Sequence, residues 1–208
     1  MFFHLRRNLM MSAASALLVA GLAAGTVAAA SAVKSSHFGM QVSPTAKACL
    51  PKAHADVHIK SIGPVEVMSV DAWGLPAKTD FDFFVIQVPN KPFGVAWYQG
   101  DLETNDQGEA HGRFIGRFNI ETFAVAQDVA QAPLVFNDKP FPDAAKNPAF
   151  NPIQMYHLGL WFNSPADAQK AGCPNTVTPF NGEHNAGIQV LNTAQFKDDQ
   201  GPLRQIHN

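Results

Sequence analysis

The chain has 208 residues, 46% hydrophobic and 15% charged, a composition suited to one ordinary globular domain with little room for a second. Its formal charge is −2, and taking Arg6 and Arg7 of the leader described next from the 15 basic residues leaves 13 against 17 acidic ones, a net −4. No basic excess remains to pair with phosphates, which argues against nucleic acid as a partner, and 16 Phe with 15 Gly and 15 Pro favour short strands and many turns over long helices.

Residues 1–32 run from a basic start at Arg6 and Arg7, through an apolar stretch from Leu9 to Ala24, to small residues ending in Ala30, Ser31 and Ala32. This order predicts a signal peptide over 1–32, cut before Val33, and a single mature domain over 33–208. A membrane anchor is the competing reading, but Ser12, Ser15, Gly21, Gly25 and Thr26 dilute the stretch. No other segment approaches ~20 apolar residues, so no membrane span is expected after signal removal. Arg6 and Arg7 resemble a twin-arginine signal, yet Leu5 stands where Ser or Thr is usual, which favours the general secretory route. The expected location is secreted, cell-surface or periplasmic. Cys49 and Cys173 are the only cysteines, and in an oxidising compartment two thiols tend to pair. Such a bridge is worth on the order of 4–5 kcal/mol in the chain-entropy model.

From Asp56 to Phe123 the sequence has the period of strands. Val57 and Ile59 alternate with His58 and Lys60, and after Gly63 and Pro64 the pair Val65 and Val67 alternates with Glu66 and Met68. Beyond the break at Gly74, Leu75 and Pro76, residues of both parities are apolar from Phe83 onward, which predicts a central strand covered on both faces. Pro89 and Pro92 end it, and Phe93 to Tyr98 form a short run. The cluster Asn105 to Gly108 is a turn, followed by a strand whose one parity holds Phe114, Phe118 and Ile120 and whose other holds Arg113, Arg117, Asn119 and Glu121.

Between Ala132 and Pro152 prolines recur with Phe136, Phe141 and Phe150 among them, predicting a long proline-rich loop packed on the sheet. Met155 to Phe162 reads as a strand. Ser164, Pro165 and Asp167 then supply a helix cap, a first-turn proline and an acid three residues past the cap, and Gly172 stops the helix after two turns. Ala186 to Leu191 is the last strand, and Lys197 onward reads as a polar tail. Together these elements predict an all-β fold, an antiparallel β-sandwich or open barrel with one short helix.

Two segments carry a resemblance. Gly74 to Asp82 and Thr104 to Ala110 look like a turn, strand and turn arrangement of exported bacterial β-sandwich modules, many of which have no assigned activity. Gly100, Asp101 and Leu102 with Asp106 to Ala110 also resemble a loop of copper-zinc superoxide dismutases. The histidine pair that binds metal in that family is missing here, so that resemblance implies shared turn architecture and no metal site.

Candidate chemistry is sparse. His54, Asp56 and His58 share one strand parity, but His54 and His58 would stand ~13 Å apart, too far to share one ion. Asp56 with either neighbour could hold a divalent metal given a third ligand such as His111, His157 or His184. The competing reading is a solvated polar face, and no metal is expected as the first choice. Asp101, Glu103, Asp106 and Glu109 fail the calcium-loop pattern and read as an acidic hairpin tip. Trp73, Trp97, Tyr98 and Trp161 are aromatics of the kind that stack on sugars or anchor interfaces. Trp161 reads as core, and Trp97 with Tyr98, between Gly94 and Gly100, as the contact surface. No nucleophile elbow, zinc helix or phosphate loop is present, and no catalytic residue is assigned. The function expected is therefore an exported, non-catalytic binding or structural surface protein whose partner is an extracellular protein or glycan. The alternatives are a metal-dependent enzyme or metal-binding protein using these His and Asp side chains, and a carbohydrate-binding module.

Overall fold

In the computed structural model, which describes residues 34–125, 152–179 and 184–207, the protein is mostly β with a single short α-helix among the described residues. The strands are β1 Ser35–Val42, β2 His54–Ser61, β3 Glu66–Trp73, β4 Asp80–Ile86, β5 Ala96–Glu103, β6 Ala110–Gly116, β7 Phe123–Val125, β8 Pro152–Gln154, β9 His157–Phe162 and β10 Gln189–Asn192. Helix α1 spans Pro165–Lys170. Strands β7 and β8 pair with each other, and the rest form one eight-stranded sheet in the order β5-β4-β9-β10-β1-β2-β3-β6, every pairing antiparallel.

The sheet curls until its two edge strands almost meet. Phe114 of β6 stacks on Phe83 of β4 with ring centroids 5.4 Å apart, and its ring lies where a side chain at Gly100 of β5 would stand. Gly100 has φ +151° and a Cβ there would come within 2.8 Å of Phe114, so glycine lets the edges interdigitate by side chains without a shared ladder. The core fills the inside of this open barrel. Ala55, Val57 and Ile59 of β2, Met68, Val70 and Ala72 of β3, and Phe81, Phe83 and Val85 of β4 point into it, as do Leu158, Leu160 and Phe162 of β9.

Strand β4 is apolar on both parities because both of its faces are covered. Its outward residues Phe84 and Ile86 form a second cluster with Trp161, Ala186, Phe93 and Ala96. Helix α1 starts as its sequence predicts: Ser164 Oγ accepts from the Asp167 N–H and donates to Asp167 Oδ2, and Lys170 in the last turn bonds Asp167. Cys49 and Cys173 form the disulfide, with Cα atoms 5.2 Å apart and 124 residues between them in sequence. It ties the turn ahead of β2 to the segment just after α1.

Four details differ from the sequence expectation. Strand β1 lies between β2 and β10 although nothing in Ser35–Val42 announces it, since Ser36, Gly39 and Gln41 blur its alternation. In β3 the inward parity is that of Glu66 and Met68, opposite to the Val65 and Val67 reading. Glu66 is buried because its carboxylate accepts hydrogen bonds from Phe118 N–H at 2.8 Å and Asn119 Nδ2 at 3.0 Å. Strand β6 stops at Gly116, so Phe118 and Ile120 belong to the following turn. The C-terminal residues are not a free tail, because Pro202, Leu203 and Ile206 are buried and Ile206 C=O accepts from Ile120 N–H. The leader and, apart from Pro152, the loop from Ala132 to Pro152 lie outside the described residues.

Candidate functional site

The outer face of β9, β4 and β5 is a small grid fixed by strand register. One row holds Trp161, Asp82 and Asp101, the next holds Gly159, Phe84 and Tyr98, and the third holds His157, Ile86 and Ala96. Gly159 is a cradle: the Trp161 ring lies across it where a side chain would stand, and this brings Trp161 edge-on to Phe84 at 5.5 Å and to Phe93 at 5.1 Å. Tyr98 meets Phe84 at 5.6 Å and is 50% exposed. It is the one ring of this group that faces water.

Phe93 reaches the grid from the turn between β4 and β5. That turn contains a cis Lys91–Pro92 bond and Phe93 at φ 65°. Buried amides hold it: Gln87 Oε1 accepts from Val95 N–H at 3.0 Å, and Pro89 C=O accepts from Gln189 Nε2 at 3.0 Å and Asn192 Nδ2 at 3.3 Å. Beneath the turn opens a cleft of about 760 Å³ bordered by Phe84, Pro92, Phe93, Ala96, Val177 and Pro179. A smaller cavity of about 410 Å³ adjoins it, lined by Pro44, Thr45, Asn90, Phe93, Ile188 and Gln189. Phe84 is therefore shared between the cleft and the Tyr98 row.

The third feature is charge. Asp82 is only 8% exposed, stands directly opposite Asp101, and no described donor bonds its carboxylate. Burial, then the Asp101 charge, push it up to about 6, with Asp80 adding and His184 opposing. Asp80 is raised in the same direction, by burial first and Asp101 second, and its Oδ1 is buried without a described partner. Tyr98 Oη donates to Asp101 Oδ1 at 2.5 Å, and burial together with that bond raises the phenol above its ordinary value.

The sequence candidates fall in different places. Trp97 and Tyr98 are neighbours on β5 and so point to opposite sides: Trp97 packs against the main core with Nε1 donating to Gln99 Oε1 at 3.0 Å, and Tyr98 faces outward. His54, Asp56 and His58 do share the outer face of β2, where Asp56 lies 3.4 Å from His54 Nε2 and 4.0 Å from His37 Nε2. His58 stands across from His37 with rings 6.3 Å apart. His111 bonds Asp71 at 2.6 Å on the same face. Among the described residues no three His, Cys, Asp or Glu side chains are placed to hold a metal ion. His157 is buried within bonds to Thr193 and to the carbonyls of Lys197 and Asp198, and His184 is exposed near Asp82. The acids expected at a hairpin tip separate, with Asp101 and Glu103 on β5 and Asp106 in the turn, paired with Lys78 at 2.8 Å.

Sequence reasoning missed Asp82. Its signal was present, an acid inside an otherwise apolar strand predicted to be covered on both faces, which is a position where charge is costly. No family model matches the chain, and comparison with curated proteins finds no match either.

Proposed function

We propose that this protein is an exported, non-catalytic binding module, similar in kind to exported bacterial β-sandwich modules, and that its ligand rests on the outer face of β4 and β5. The observation that carries the reading is Tyr98, an exposed ring seated on buried Phe84 beside an open apolar cleft. A rigid aromatic with its support already packed loses little entropy on binding, and concave apolar sites with a few polar groups are where ligands bind. Export is supported by the Cys49–Cys173 bridge, which persists in oxidising compartments. Among the described residues no helix is long and apolar enough to cross a membrane.

The partner is an extracellular protein or a glycan. A glycan finds in Tyr98 a stacking surface and in Asp101 an adjacent acceptor for its hydroxyls. The test is an array of glycans and of extracellular proteins probed with the purified mature chain and with Tyr98→Ala. Specific binding by the wild type and its loss in the variant, at nearly equal melting temperature, is the expected result. Binding that survives Tyr98→Ala would place the ligand elsewhere. Sequencing the exported protein from its N-terminus should start at or near Val33, and a start at Met1 would end the export part of the reading.

A further inference from the structure

The acidic group beside Tyr98 is unusual in lacking its counter-charge. Asp80 and Asp82 of β4 and Asp101 and Glu103 of β5 share this one face. The cationic side chains near them are engaged elsewhere or weak: Lys170 bonds Asp167, Lys78 bonds Asp106, and His184 is the one described group that lowers Asp82. Acids clustered on a surface are ordinarily just solvated. Asp82 is not on the surface, being more than nine-tenths buried, and it stands opposite Asp101 with no donor supplied to its oxygens by the described chain. A buried carboxylate left without donors is costly. A ligand that brings the donors removes that cost.

From this geometry we infer that the face binds a primary ammonium group, held between the carboxylates of Asp82 and Asp101, on a ligand whose apolar stem runs over Tyr98 and Phe84 toward the cleft beneath the β4–β5 turn. The inference rests on the binding-module reading and names the ligand chemistry of the same site. Three points select this class. An ammonium carries three N–H donors on one atom, which suits two carboxylates that approach from adjacent strands. The neighbouring rings of Tyr98 and Phe84 favour a cation over their faces and suit an aliphatic stem. A metal ion fits less well, since no three described ligands are placed for one. The ammonium is that of a free alkylamine or of a lysyl side chain on a partner, two sources of one chemistry.

The experiment titrates the isolated mature protein at neutral pH with n-hexylammonium and with Nα-acetyl-lysine N-methylamide, and uses n-hexanol as the uncharged match, following amide shifts of β4 and β5 by NMR. The expected result is saturable binding of at least one of the two cations, weakened at least tenfold in Asp82→Asn and in Asp101→Asn, with hexanol giving no saturable shift at these strands. Tighter binding of hexylammonium assigns a free amine, and tighter binding of the lysine derivative assigns a lysyl partner. Neither cation binding, equal binding of hexanol, or full binding by both Asn variants would overturn the inference. Asp101 is exposed, so its variant keeps the test valid even where the buried Asp82 substitution disturbs the strand. Calcium in place of the amines giving the saturable shifts would also overturn it. The array distinguishes the two failures: a neutral glycan that needs Tyr98 but neither aspartate sinks this inference and leaves the binding module standing, whereas binding indifferent to Tyr98 sinks both.

Discussion

Asp82 and Tyr98 show how one register decides what a side chain can do. Asp82 sits on the outward parity of β4, yet with Trp161 beside it and Asp101 opposite it is only 8% exposed and has no described donor. Because its folded value lies near 6, above the ordinary 3.8, the fold favours its protonated form, and the contribution of this group to stability falls as pH rises from 3.8 to about 6. Asp82→Asn keeps the shape and removes the charge. It should raise stability above that window by roughly 1–2 kcal/mol, after discounting for solvent at the open side, and leave it little changed at low pH. Urea denaturation on both sides of the window checks this, and equal gains at both would assign the effect to packing. On β5 the neighbouring residues Trp97 and Tyr98 point to opposite faces, so their roles separate. Trp97→Ala should lower the unfolding free energy by about 2–4 kcal/mol through lost core contact, seen as a lower melting temperature, while Tyr98→Ala costs well under that and is read instead in binding.

Elements with strict alternation or a capping signature were legible in the sequence, and those whose pattern is blurred by small, polar or isolated residues were not. Strand β2, the doubly covered β4 and α1 follow from Val57 and Ile59, from Phe83 to Ile86, and from Ser164, Pro165 and Asp167. A disulfide is expected from two cysteines in a chain read as exported, and Cys49 and Cys173 are bonded. Strand β1 escaped notice because small and polar residues occupy its half-covered face, and with it went His37, the second histidine beside Asp56. The C-terminal turns escaped because Leu203 and Ile206 are isolated among polar residues, and only the fold reveals that each fills a gap in the core. Of the candidate site, the aromatic Tyr98 was legible but the buried Asp82 facing Asp101 was not, since cross-strand neighbours depend on register that a single sequence does not fix. Two measurements belong to this scale. Ser164→Ala removes the acceptor for Asp167 N–H and should cost about 1 kcal/mol in thermal or chemical unfolding. Reducing Cys49–Cys173 frees a long loop in the unfolded chain and should cost on the order of 3–5 kcal/mol, read as a lower denaturation midpoint with reductant present.

At the scale of the whole molecule two buried titrating groups pull stability in opposite directions. His157 sits under the C-terminal turn, where Nε2 faces the carbonyls of Lys197 and Asp198, which only accept, so the proton of the neutral ring is on Nε2. Nδ1 then accepts from Thr193 Oγ1, whose own lone pair takes Leu158 N–H. Burial opposes a second proton on Nδ1 and lowers the ring below its ordinary 6.5, outweighing the Asp198, Lys197 and Thr193 hydrogen bonds that favour the charged form. The unfolded chain therefore takes up a proton that the fold refuses, and the His157 contribution to stability is complete above 6.5 and lost as pH falls below it. The Asp82 contribution runs the other way over 3.8 to about 6, with Asp80 in the same sense. Across that overlap the wild-type profile is the partial cancellation of the two. Each single variant should then uncover the other group's limb. In Asp82→Asn stability climbs with pH up to 6.5, and in His157→Gln, whose amide can still donate to the same carbonyls, it declines as pH rises to about 6. The two residues lie on different strands and rows of the sheet, so the double variant should be close to additive and its profile flatter than either single one. Denaturant midpoints of the four proteins at intervals from about pH 4 to about pH 7 measure all of these slopes. Parallel profiles for the wild type and both single variants would show that neither group governs the pH dependence, and would return it to the surface carboxylates.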